Sequence, residues 1–133
     1  MKFELCYPQW KDRAVTFSYD DGQIFDRRLV DIFNEYDLKA TFHLNSGTLD
    51  TEGFISSGEL DSLYRGHEIA CHGVNHEYPT HLSTERLIQE FYGDRCSLER
   101  ETGRVIRGCS YAFGEYDERV INTLKNLGFA YSR

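Results

Sequence analysis

An α/β fold built on a parallel sheet, open or closed into a barrel, is the class this sequence predicts. Two observations carry that expectation. Short β-prone runs alternate with helical patterns along the whole chain, with no internal repeat, low-complexity stretch or linker. Polar residues gather just where the predicted strands end, and in parallel α/β folds functional groups collect at the C-terminal ends of strands.

The elements follow in order. Residues 14–19 form a β-prone run that closes in a turn of Asp20, Asp21 and Gly22. Residues 23–36 place Ile24, Phe25, Leu29, Ile32, Phe33 and Tyr36 at near-helical spacing. Residues 39–44 predict a second strand, ended by Asn45, Ser46 and Gly47, and residues 48–57 lack a period and predict a loop. Leu60, Leu63 and Tyr64 mark a short helix over residues 58–65, capped by Gly66, and residues 67–72 predict a third strand. A polar loop follows to Leu82. Residues 83–102 predict the longest helix, with Ser83 as its N-cap and Gly103 beyond its last turn. Residues 105–113 predict a fourth strand running into Gly114, residues 116–127 a last helix before Gly128, and residues 129–132 the start of a fifth strand.

The 133 residues suffice for one domain with a modest core. Hydrophobic residues at 40% and charged residues at 28% exclude a disordered chain. A net charge of −7 disfavours nucleic acid and anionic membranes as partners and suits a neutral sugar or small molecule. No stretch approaches the ~18 apolar residues of a membrane helix. The first ten residues lack the charged start and apolar run of a signal peptide. Cys6, Cys71, Cys96 and Cys109 form no CxxC pair, so a cytoplasmic chain with reduced thiols is expected.

Three polar clusters fall at the strand ends: Asp20 with Asp21, His72 with His76, and residues 110–114. Two imidazoles and a carboxylate form a ligand set for catalytic zinc with an open position, and the same set suits iron(II). Neighbouring strand residues point to opposite sides, and Gly22 lets the chain bend, so one aspartate is free to bind metal while the other faces the reacting water. A metal held there lowers the pKa of bound water toward ~7, and a free carboxylate takes a proton as that water attacks. Taken alone, an Asp-Asp-Gly run is usually a turn and an HxxxH pair usually incidental; their joint placement is what points to chemistry.

With these residues in view, the chain resembles the polysaccharide deacetylase family, the NodB homology domain of carbohydrate esterase family four. Thr16-Phe17-Ser18-Tyr19-Asp20-Asp21-Gly22 resembles the family's TFDDG motif, and Lys39-Ala40-Thr41-Phe42-His43-Leu44 its KATFF strand. Residues 66–76 resemble its GHEI run followed by HxxxH. The resemblance covers nearly the whole chain. It implies a distorted (β/α) barrel of the glycoside hydrolase/deacetylase superfamily, with residues 1–133 as the N-terminal portion of one such domain. It implies Asp20 as general base, Asp21, His72 and His76 as ligands of a divalent metal, usually Zn2+, and an acetylated glycan as substrate, hydrolysed at an N-acetyl or O-acetyl group.

Two departures from the family pattern matter. Aligning residues 110–114 with the third motif puts Ser110 where an arginine usually orients the base. It puts Phe113 where a tyrosine's backbone N–H serves the oxyanion, and a phenylalanine supplies that N–H equally well. Asp20 is then expected to lack its cationic partner, with Arg107 near but off register, and its pKa to rise. The family's later motifs, an aromatic wall and a leucine–histidine pair with the general acid, have no counterpart, so the chain is expected to stop before the domain is complete. Two alternatives therefore stand beside the deacetylase: a catalytically impaired metal or carbohydrate-binding remnant, and a hydrolase of a non-sugar amide on the same site. Among the other candidates, Tyr111 and Tyr116 are the tyrosines best placed to line a sugar cleft. His67 is expected to be structural and His81 to sit on a loop, while His43 is free to face either way. Cys71, Cys96 and Cys109 are expected in or near the core, and the charges between Glu85 and Glu101 on a solvated helix face.

Overall fold

The computed structural model describes residues 7–133, so Cys6 and most of the N-terminal stretch read above for a leader lie outside the described residues. Five strands form one sheet in the order β1-β2-β3-β4-β5, every neighbouring pair parallel. They are β1 (Ser18–Asp21), β2 (Thr41–Leu44), β3 (Glu68–Cys71), β4 (Gly108–Cys109) and β5 (Tyr131–Ser132). Helices α1 (Asp26–Glu35), α2 (Leu60–Leu63), α3 (Thr84–Thr102) and α4 (Glu118–Asn126) occupy the crossovers that parallel strands require. Sequence neighbours are thus sheet neighbours, as in a (β/α) barrel wall.

The core explains the pattern. Phe42, Leu44, Ile69 and Cys71 are buried in β2 and β3, where the apolar run is nearly continuous because both faces are covered. Val30 and Phe33 from α1, Leu87, Phe91 and Leu98 from α3, and Val120 and Leu124 from α4 supply the helical side of the core. Each large side chain so buried contributes about 1.5–3 kcal/mol. Helix α3 begins at Ser83, whose hydroxyl accepts from Arg86 N–H at 3.3 Å, and ends at Gly103 in the left-handed region. Asp117 caps α4 in the same way, accepting from Val120 N–H at 2.7 Å.

Several elements differ from the sequence expectation. The first strand is shifted toward the C-terminus: Asp20 and Asp21 lie inside β1, opposite His43 and Leu44, and the turn starts only at Gly22. Helix α1 starts later because Gln23 bridges to Phe54 and Ile24 N–H bonds to Gly53 O. The fourth strand is two residues long rather than nine. Upstream, Ile106 N–H is diverted to the Glu99 carboxylate at 3.0 Å; downstream, Phe113 at φ 60° turns the chain out of the sheet. Two residues on α3 expected at a solvated face, Glu90 and Asp94, are buried. Cys71 and Cys109 are buried free thiols, whereas Cys96 is exposed, not packed as expected. Among the described residues no helix is long and apolar enough to cross a membrane.

Candidate active site

Asp20 and Asp21 from the end of β1, His72 and His76 beyond β3, and Ser110, Tyr111 and Phe113 beyond β4 line one cleft of about 380 Å³, with Arg133 at its side. The strand ends bring together Asp20, Asp21, His72, His76, Tyr111 and Phe113, whereas Tyr116 lies outside this cleft. Asp21 Oδ1 lies 3.6 Å from His72 Nε2 and 3.6 Å from His76 Nε2. One ligand atom from each of the three residues lies within 4.8 Å of the others, so two nitrogens and one oxygen converge from three sides. That donor set fits a divalent metal with an open coordination position.

The backbone is bent to make this convergence. Asp21 sits at φ 79° and His76 at φ 56°, both in the left-handed region that non-glycine residues rarely adopt. Each such residue costs about 1–3 kcal/mol, and strain of this kind persists where a site over-determines it.

His72 is oriented from behind. Its Nδ1 lies 3.1 Å from the Ser110 carbonyl oxygen, which only accepts, so Nδ1 carries the proton and Nε2 presents its lone pair toward Asp21. Burial holds its imidazole below the ordinary value, against the opposing pull of the Asp20 carboxylate, which favours the neutral ligand form. The main chain of its loop is clamped by α3. Asp94 accepts from Ser46 N–H at 2.7 Å, His72 N–H at 3.0 Å and Gly73 N–H at 3.1 Å. Glu90 accepts from Asn75 N–H at 2.7 Å and Glu77 N–H at 3.3 Å. Asn45 donates to the carbonyls of His72 and Gly73, both at 2.8 Å. Gly73 is required here: it stands at φ 87°, and a Cβ would lie 2.7 Å from the Glu90 carboxylate. Burial pushes Asp94 up to about 7 despite its backbone bonds. Sequence reasoning missed both clamps; their i, i+4 spacing on the face that carries Leu87, Phe91 and Leu98 was the available signal.

Asp20 does not lack a cation. The Arg133 guanidinium pairs with its Oδ1, from a position that no motif alignment suggested. His43 Nδ1 approaches the same oxygen at 3.2 Å, and the Ser110 hydroxyl donates to it at 3.2 Å. Asp20 Oδ2 instead faces His72 Nε2 at 3.9 Å. Burial works against the ionised form, but His43, His72 and Arg133 together outweigh it and hold Asp20 well below the usual carboxylate range. The rise expected from the missing arginine is thereby overturned.

His67 is buried between α1 and β2, its Nδ1 accepting from Ala40 N–H at 3.3 Å and its Nε2 lying 3.2 Å from Asn34 Oδ1. His81 is exposed in a 3-10 turn, stacked on Tyr78. Phe113 stands at φ 60°, its ring stacked on Tyr78 at 3.7 Å and edge-on to His76 at 4.5 Å. Tyr111 and Tyr116 stack at 5.1 Å and line a neighbouring cleft of about 650 Å³.

The family model described as polysaccharide deacetylase matches residues 8–132. A chitin deacetylase from Amylomyces rouxii is 29% identical over 113 residues, which is 84% of this chain and 26% of that protein. A peptidoglycan-N-acetylglucosamine deacetylase from Bacillus cereus is 23% identical over 100 residues, 71% of this chain and 46% of that one. The chain thus spans at most about half the length of these relatives. A Streptococcus pyogenes deacetylase solved in complex with acetate superposes with a TM-score of 0.84 at 20% identity, over 89% of this chain and 54% of that one. A CE4 family pseudoenzyme from Bacillus anthracis superposes with a TM-score of 0.75 at 16% identity, over 91% of this chain and 43% of that one. The fold is therefore common to a deacetylase and a pseudoenzyme, and catalysis has to be argued from the site.

Proposed function

The chain belongs to the polysaccharide deacetylase family, and on that premise we propose that it carries a metal-dependent hydrolase site that removes acetyl groups from a carbohydrate. One observation carries the reading: the donor atoms of Asp21, His72 and His76 converge within 4.8 Å while a second carboxylate, Asp20, turns an oxygen toward them. Asp21, His72 and His76 would hold a divalent metal, zinc first among the candidates. Such a metal, when bound, supplies Lewis acidity that polarises an acetyl carbonyl and acidifies water.

The remaining work falls to this chain. Asp20, held ionised, takes a proton from the attacking water. The water oxygen bonds to the acetyl carbon, the bond to the sugar nitrogen or oxygen breaks, and acetate leaves. The proton gained by Asp20 balances the one that the departing amine or hydroxyl requires. Phe113 N–H would donate to the developing oxyanion, and Tyr111 would flank the sugar. An acetylated glycan also suits the acidic chain better than a polyanion.

Ser110 in the place of the family's arginine, and the likeness to a pseudoenzyme, favour one alternative: a remnant that binds metal or sugar without turnover. The test is zinc content and acetate release from acetylated glucosamine oligomers. Asp21→Ala is expected to lose the metal, and metal retained there would reject the ligand assignment. Asp20→Asn is expected to keep the metal and lose about 10²–10⁴-fold in kcat. Sugar retained by the wild type without acetate release would favour the remnant.

A further inference from the structure

His43 is a buried titratable side chain beside Asp20 that the proposed chemistry leaves unused. It lies directly opposite Asp20 in the β1–β2 register, the cross-strand position from which two side chains meet on one face of the sheet. It is 1% exposed. Its Nδ1 lies 3.2 Å from Asp20 Oδ1 and 3.3 Å from the Tyr19 carbonyl, with the Ser18 hydroxyl also at 3.3 Å. An ionised carboxylate and a carbonyl only accept, so Nδ1 carries the proton. Among the described residues the far nitrogen, Nε2, is buried without a hydrogen-bond partner.

An orphaned buried polar atom of that kind is destabilising, and an apolar side chain of similar size in β2 would avoid the cost. The imidazole therefore does not serve the packing of β2 alone; its Nδ1–H lies between the Tyr19 carbonyl, to which it is hydrogen-bonded, and Asp20 Oδ1 at 3.2 Å. Arg133 and Ser110 reach the same Asp20 oxygen, but Arg133 is a half-exposed side chain, and the Ser110 hydroxyl is shared with His72 Nδ1 at 2.6 Å. His43 also shares its Nδ1, with the Tyr19 carbonyl, but its ring is buried and fixed within the sheet beside Oδ1.

We propose that His43 is the positioning residue of the general base. Its Nδ1–H holds Asp20 Oδ1 so that Oδ2 points at the His72–His76 side of the cleft. The proposal rests on the deacetylase reading for its kinetic consequence, though the pairing itself does not.

The test uses the full chain with two substitutions. His43→Leu removes the donor, whereas His43→Asn keeps an amide nitrogen near the place of Nδ1. In His43→Leu, kcat is expected to fall about 10- to 100-fold, the scale of a misplaced catalytic group, with KM and zinc content unchanged. Thermal stability should hold or rise, which a merely structural histidine would not allow. His43→Asn should restore kcat to within about 5-fold of wild type. Unchanged kcat in His43→Leu, or a loss that tracks lowered stability or lost zinc, overturns the proposal. If the wild type releases no acetate, the deacetylase reading fails separately, and the pairing is read from the long-range ¹H–¹⁵N spectrum of the imidazoles. A His43 Nδ1–H resonance that moves in Asp20→Ala supports the pairing. A proton on Nε2, or a resonance indifferent to Asp20→Ala, overturns it.

Discussion

The two loops that face each other across the cleft are built on opposite principles. Residues 72–77 are tied down from below: Asp94 and Glu90, both buried on α3, receive the loop's backbone N–H groups, and Asn45 donates to its carbonyls. Residues 110 and 111 are tied to β3 and Arg133 through their backbone N–H groups, but beyond Ala112 the segment is largely exposed, held by the Thr80–Glu115 hydrogen bond and by the stack of Phe113 on Tyr78, with Tyr111 stacked on Tyr116. The first arrangement holds the backbone that carries His72 and His76 in one position, the precision that the proposed metal site would demand. The second leaves a face of rings that can adjust to a substrate, as sugar binding allows. Precision and tolerance are separated onto the two sides of one cleft.

The sharpest way to break this comparison is Asp94→Ala. It leaves the N–H groups of Ser46 and Gly73 without an acceptor and takes one of two acceptors from His72 N–H, which also donates to Leu44 O at 2.9 Å. Unsatisfied buried donors cost about 1–3 kcal/mol each, and with partial relaxation the variant should lose about 3 kcal/mol in urea unfolding. Zinc affinity should fall with it, because His72 sits on the released loop. A loss under about 1 kcal/mol would mean that the loop is held by something else.

Asp26 sharpens the same point as a control. It is also a buried carboxylate, but it holds no loop; its one side-chain bond is from the Tyr64 hydroxyl at 2.6 Å. Burial pushes its pKa up to about 6, with the Tyr64 bond opposing. A folded-state value above the unfolded one means that its stabilising contribution is full below the ordinary carboxylate range and lost as pH rises through about 6. Asp26→Asn keeps an acceptor for Tyr64 and cannot ionise. In metal-free protein it should gain about 1 kcal/mol on the wild type between acid and neutral pH, a figure already reduced for solvent screening. A variant that tracks the wild type at every pH would show that burial at Asp26 is not what raises it.

How much of this was legible in the sequence follows from the range of the interactions. The βα alternation was legible because apolar periodicity is local, and Ser83 and Gly103 bracket α3 by cap chemistry that spans a few residues. The convergence of Asp20, Asp21, His72 and His76 on one cleft was legible through motif spacing. The length of β4 was not, because the donor of Ile106 is drawn away by Glu99 on another element. Glu90 and Asp94 read in the sequence as solvent-facing charges, since a buried acid looks the same as an exposed one until its N–H partners are in place. Arg133 at Asp20 was missed because 113 residues separate them, and nothing in composition links positions so far apart.

The smallest expected effect tests the tolerant side of the cleft. Phe113 is 53% exposed, and its ring covers Tyr78 while leaning on His76. Phe113→Ala keeps the backbone N–H that would serve the oxyanion, so kcat should stay within about 3-fold. It deletes the ring that a sugar would meet, so KM for an acetylated oligomer should rise about 3- to 10-fold. Stability should change by less than about 1 kcal/mol, since an exposed stack is worth no more than that and the φ of 60° strains alanine much as it strains phenylalanine. Chemical unfolding and steady-state kinetics on the same preparation separate these outcomes. A stability loss above about 2 kcal/mol would place Phe113 in the packing of the rim. The two loops would then be equally rigid, and tolerance for the sugar would have to reside elsewhere, in the Tyr111–Tyr116 stack.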